Sequence, residues 1–136
     1  MNLEEVKEWF EIAEEDLYAA KSLNNLHRKP LEIICYHCAQ SIEKLLKGFL
    51  VHSNIKPPKT HDLPLLLRMC ADIDTGFLSF ENECRIIVRY ANEVRCPIRI
   101  EITEDDANYS IKSVEKLMKF KPIYDLAKSL NIWEDI

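Results

Sequence analysis

The stretch Leu31–Leu50, LEIICYHCAQSIEKLLKGFL, decides the fold. Leu31, Ile34, Cys38, Ile42, Leu45 and Phe49 recur at steps of three and four and draw one apolar stripe along a helix. Cys35, Ala39, Leu46 and Leu50 widen the stripe, so the segment must bury more of its circumference than a surface helix does. Such a helix is stable in water only when neighbours cover several of its sides, which places it at the centre of a bundle.

The flanking segments supply those neighbours. Upstream, Leu3, Val6, Phe10, Ala13, Leu17 and Ala20 form a narrower stripe, with Glu4, Glu5, Glu8, Glu11, Glu14 and Glu15 on the other faces. Asn24 and Asn25 weaken that helix, and Pro30 disfavours helical geometry at Lys29 while suiting the first turn of the central helix. Downstream of Pro57 and Pro58, Thr60 or Asp62 stands ready to cap a third helix carrying Leu63, Leu66, Leu67 and Cys70, with Pro64 in its first turn. Asp72–Gly76 is a stop, after which Phe77, Phe80, Cys84, Ile87 and Ala91 mark a fourth helix running toward Val94.

Pro97 breaks the helical pattern, and Ile98, Ile100 and Ile102 alternate with polar residues as a strand would. A lone strand has nothing to pair with, so residues 96–103 are expected as an extended crossover that tucks its isoleucines against the bundle. Thr103 and Asp106 have capping-box spacing, and Glu104 and Asp105 place negative charge where a helix dipole favours it. Ala107, Ile111, Val114 and Met118 then carry a fifth helix, and a short turn after Pro122 ends in a tail docked by Trp133. The expected fold class is all-α: an up-and-down antiparallel helical bundle of about five helices, with residues 1–136 as one domain.

Composition agrees and excludes several function classes. Hydrophobic residues at 47% and charged residues at 30% are an ordinary globular balance, not that of a disordered or fibrous chain. Two glycines, Gly48 and Gly76, are too few and too far apart for a phosphate-cradling loop. A formal charge of -5 disfavours a surface built to neutralise many duplex phosphates, though it permits a local basic patch. The acidic start of the chain lacks the basic head of a signal peptide, and no apolar run approaches a membrane span, so the expected location is cytoplasmic with no membrane partner. The five cysteines are expected as reduced thiols. Cys35 and Cys38 have a Cys-x-x-Cys spacing, but they sit one turn apart in an apolar helical stripe without a second ligand pair. They act there as small hydrophobes, and no metal or other cofactor is expected.

The run Cys35-Tyr36-His37-Cys38-Ala39-Gln40-Ser41-Ile42-Glu43-Lys44-Leu45-Leu46-Lys47 resembles the HEPN pattern of an aromatic, a His, an Ala-Gln pair, a Glu-Lys and a further Lys. Ala13, Asp16, Leu17 and Ala20 resemble that family's first-helix signature. His61-Asp62-Leu63 with Leu66 resembles its third-helix start, and Arg89-Tyr90 its Arg-Tyr-Pro element, with Ala91 in the proline position. The resemblance implies a helical bundle that is usually a homodimer, is linked to nucleotides or RNA, and often accompanies a minimal nucleotidyltransferase. Many members are ribonuclease toxins of toxin-antitoxin pairs with an Arg-x4-6-His motif. No arginine in this chain is followed by a histidine at that spacing: the last histidine is His61, before Arg85, Arg89, Arg95 and Arg99, and Arg28 precedes His37 by nine residues.

Cleaving RNA without a metal takes a base for the 2′-hydroxyl and a cation for the phosphorane, roles suited to histidine and arginine. Arg85 and Arg89 stand one turn apart on one helix face, a spacing that presents two guanidiniums to one phosphate or pairs with Glu81 and Glu93. His37, Gln40, Lys44 and Lys47 form a row on the central helix that either lines a nucleotide-sized groove or is a solvated or hydrogen-bonded polar face. The expected ligand-binding set is therefore Arg89, Tyr90, Arg85, His37, Gln40, Lys44 and Lys47, with no catalytic residue assigned. His61 is expected to help cap the third helix. The function expected is a non-catalytic nucleotide- or RNA-associated module that homodimerises; purely as an interaction protein it would use the apolar seam of the central helix and the crossover at Ile98 to Ile102. The alternatives are a metal-independent ribonuclease with His37 as base, or a ligand-free interaction scaffold.

Overall fold

Most helix ends lie where local chemistry puts them. In the computed structural model, which describes residues 2–92 and 101–133, α1 (Leu3–Leu23) begins at Asn2, whose side chain accepts from the Glu5 amide at 3.1 Å. It stops one residue before Asn24. Helix α2 (Leu31–His52) starts directly after Pro30. Helix α3 (Leu63–Ala71) is capped by Asp62, which accepts from the Leu65 amide at 3.2 Å, and carries Pro64 in its first turn. A 3₁₀ turn (Thr75–Phe80) leads into α4 (Glu81–Asn92), so Phe77 and Phe80 belong to the turn and not to the fourth helix as their spacing suggested. Helix α5 (Glu104–Lys119) opens on a reciprocal capping box: Thr103 Oγ1 accepts from the Asp106 amide at 3.2 Å, and Asp106 Oδ2 accepts from the Thr103 amide at 2.9 Å.

After the extended residue Phe120, α6 (Lys121–Ser129) runs for nine residues, longer than the single turn expected after Pro122. The described residues thus hold six α-helices and one 3₁₀ turn, with no strand. The crossover expected over 96–103 lies largely outside the described residues; of its isoleucines, Ile102 packs against the core.

Cross-helix contacts fix the directions. Ser41 bonds the Ala13 carbonyl at 2.7 Å and Lys47 lies over the Trp9 ring, so α1 and α2 run antiparallel. Lys21–Glu115 and Asn24–Asn108 set α5 antiparallel to α1; Lys116 bonds Glu83 near the start of α4, while Asp106 near the start of α5 acts on Tyr90 near the end of α4, as antiparallel helices require. The centre is α2, which touches α1, α3, α4 and α5. Its apolar stripe is covered by the chain itself, and every residue from Cys38 to Val51 except Lys44 is buried. That corrects the expectation of an apolar interaction seam along the central helix: the seam is spent inside the chain's own core.

Close fits at Phe10 hold α1 to α2 and to the tail. Gly48 lets the helices approach so nearly that a Cβ there would stand 2.6 Å from the Phe10 ring. Phe10 also stacks on Trp133 at 5.1 Å, and the Trp133 indole donates to the Phe10 carbonyl at 3.2 Å, so the tail is docked by Trp133 as its sequence suggested. At the opposite pole Phe49, Phe77, Phe80 and Phe120 pack as a chain of tilted and edge-on rings that joins α2, the 3₁₀ turn and the start of α6.

Candidate functional site: two polar clamps and a basic edge

The polar row of α2 divides into two separate clusters. In the first, Asp16 reaches across from α1; His37 Nδ1 donates to its Oδ1 at 3.0 Å and Lys44 Nζ to its Oδ2 at 3.2 Å. Lys44 also donates to Gln40 Oε1 at 2.9 Å. Three of the expected ligand residues, His37, Gln40 and Lys44, therefore share one carboxylate, which fixes the imidazole tautomer and neutralises the ammonium. Asp16 entered the sequence reading only as part of the first-helix signature. Its readable signal is an acid set between Ala13, Leu17 and Ala20, on the face that must meet α2.

In the second cluster, Glu43 Oε2 accepts from Lys47 Nζ at 3.0 Å and its Oε1 pairs with His61 Nδ1 at 2.7 Å. The Glu43 and Lys47 side chains are only 5% and 8% exposed, whereas that of His61 is 59% exposed and acts as a lid on the pair. This corrects the expected capping role of His61. Asp62 caps α3 alone, and His61 instead ties the entry of α3 to the middle of α2. Lys47 is thereby taken up by a buried ion pair, with its ammonium 5.7 Å from the Trp9 ring centre.

The remaining expected residues lie on α4. Arg85 and Arg89 are both exposed, and Arg85 donates to Asn82 Oδ1 at 3.3 Å where sequence had offered Glu81 as its partner. Tyr90, in contrast, is a core residue 3% exposed; burial pushes its hydroxyl up to about 12, with Asp106 and Cys35 adding to the shift. His37, Gln40 and Lys44 gather on Asp16 of α1 and Lys47 on Glu43, whereas Arg85 and Arg89 stand on α4 and Tyr90 is in the core, so the structure does not gather the expected residues into one site within a single chain.

The buried thiols are inert groups here. Burial pushes Cys35 up to about 11 and Cys84 up to about 12, and raises Cys38 and Cys70 as well. Cys35, Cys38, Cys70 and Cys84 are all free, and among the described residues no group of three or more His, Cys, Asp or Glu is arranged to hold a metal ion. Among those residues, too, no buried side-chain nitrogen or oxygen lacks a hydrogen-bond partner, and no helix is long and apolar enough to cross a membrane.

An all-α bundle whose central helix is clamped by two carboxylate-centred clusters, with a basic edge on a neighbouring helix, defines the class. The family follows from comparison: the model of the HEPN domain matches residues 6–124, and this chain belongs to the HEPN domain family. No curated protein and no solved structure matches the chain. The polar residues that carried the resemblance in α1, α2 and the α3 entry, namely Asp16, His37, Gln40, Glu43, Lys44, Lys47 and His61, are those of the two clamps.

Proposed function

We propose that this HEPN domain is a non-catalytic module that homodimerises, binds a nucleotide or RNA, and partners a minimal nucleotidyltransferase. The observation that carries the reading is the separation of base from cation. The chain lacks the Arg-x4-6-His pattern, and its best-placed histidine, His37, is held by Asp16 of α1, while Arg85 and Arg89 are carried by α4. General base catalysis needs the imidazole within hydrogen-bond reach of the hydroxyl it deprotonates, while the arginine must meet the same phosphate. An imidazole already bonded to Asp16, and arginines carried by a different helix, support the reading that no such pair is preassembled in one chain. The exposed guanidiniums on α4 still suit phosphate recognition, because Arg offers paired N–H donors that match two phosphate oxygens.

Incubating metal-free protein with single-stranded RNA tests the non-catalytic part, and intact RNA is the expected result. Degradation that disappears in Arg89→Ala or His37→Ala would replace the proposal with the ribonuclease. Binding is tested by thermal shift against a nucleotide panel, since a ligand selective for the folded state raises its melting temperature. A ligand at 100 times its dissociation constant adds about 2.7 kcal/mol, and a flat panel favours the scaffold instead. Light scattering that shows only monomer at micromolar concentration removes the dimer.

A further inference from the structure

A third arginine, from a different helix, meets the α4 edge. Arg68 of α3 and Arg85 of α4 line one notch of about 180 Å³, floored by Leu67 and rimmed by Leu78, Asn82 and Glu81. Sequence reasoning passed over Arg68, which stands 17 positions from Arg85 and joins it only because α3 packs on α4. Both side chains are exposed. Among the described residues Arg68 has no ion-pair partner, and Arg85 has the neutral Asn82. The notch therefore carries two guanidiniums against one carboxylate, Glu81, in a chain that is acidic as a whole.

Two forked donors facing one cavity from two helices are suited to a tetrahedral oxyanion, because each fork spans a pair of its oxygens. The side-chain amide of Asn82 adds a neutral polar group beside them. Leu78, 46% exposed, and the buried Leu67 offer an apolar surface on which the organic part of an ester rests. We infer that the Arg68–Arg85 notch is a phosphate subsite, and that it takes a phosphate group of a nucleotide or of single-stranded RNA. This deepens the proposal above and rests on its reading of the chain as a nucleotide- or RNA-binding module. Glu81 opposes the ligand's charge and limits affinity, which gives the site a substitution of each sign.

The test titrates the full chain with inorganic pyrophosphate by calorimetry, and with a labelled single-stranded RNA oligonucleotide by fluorescence anisotropy over a salt series. Arg68→Ala should weaken both about tenfold or more, the loss of one charge-assisted contact, and Glu81→Gln should tighten both. The slope of log affinity against log salt for RNA should shrink by about 0.7 in Arg68→Ala, as for one phosphate contact removed. Unchanged circular dichroism in each variant keeps folding apart from binding. RNA bound equally by wild type and Arg68→Ala overturns the notch while leaving the binding module standing. Failure of wild type to bind either probe overturns both.

Discussion

The Glu43–Lys47–His61 cluster gives the sharpest test of how this bundle is held. Glu43→Ala removes the anion from a pair whose carboxylate and ammonium side chains are 5% and 8% exposed, and so leaves the Lys47 charge buried without its counterion. His61, at 59% exposed, simply returns to water. Removing one partner of a buried pair costs about 3–5 kcal/mol, a large part of a domain stability of about 5–15 kcal/mol. At about 3–5 °C per kcal/mol for a chain of this size, the melting temperature should drop by roughly 10–20 °C. Urea unfolding followed at 222 nm measures the cost directly. The second half of the test is Lys47→Met with Glu43→Leu, which removes both charges and keeps apolar volume. The double variant should be more stable than the sum of the single losses implies, with a coupling of about 1–3 kcal/mol. Additive losses, or a Glu43→Ala cost below about 1 kcal/mol, would show that the pair does not act as a buried unit. His61→Ala should cost no more than about 1 kcal/mol, because its side chain is mostly in water.

Gly48→Ala gains helix propensity of about 1 kcal/mol but drives a methyl group into the Phe10 ring, which is also held by its stack on Trp133, so a net loss of about 1–2 kcal/mol in urea unfolding is expected. Trp133→Ala removes that stack and the bond to the Phe10 carbonyl and should cost about 3–5 kcal/mol; an unchanged melting temperature would show that the tail is dispensable. Stability should also fall with alkali. The Cys35 and Cys84 thiols, ordinarily near 9.0, are raised to about 11 and about 12 in the fold. Above pH 9 the unfolded chain therefore gives up protons that the folded chain keeps, and stability present in full at pH 8 is lost as pH rises toward 12. Each such thiol adds up to about 1.4 kcal/mol per pH unit to the fall, and urea midpoints at pH 8 and 10.5 should move less in Cys84→Ala.

Helical periodicity made the polar face of α2 legible in the sequence, but not the partners of its residues. The row His37, Gln40, Lys44 and Lys47 is a real face of α2, because helical periodicity is local and three or four residues bring side chains into line. Whether that row meets ligand or protein depends on what crosses it. Asp16 is 21 residues from His37 and Glu43 is 18 residues from His61, so no local rule connects them. The same limit hid Arg68 from Arg85 and let Tyr90, whose ring is buried, look like a partner of the exposed Arg89.

What the chain determined by itself was its rods and their order. Apolar spacing, the prolines at 30, 64 and 122, and the caps Asp62 and Thr103 act within a few residues, so helices α1 to α5 and the central place of α2 could be read without coordinates. The 3₁₀ turn before α4 and the entry to α6 are pinned to α2 by the aromatic chain from Phe49 to Phe120, which joins residues far apart in sequence. Only the packed structure decided that the central helix spends its apolar seam inside the monomer, that its polar row splits between two carboxylates, and that two arginines from different helices meet at one notch. Charge pairing and burial depend on distance through space, and the folded chain alone fixes those distances.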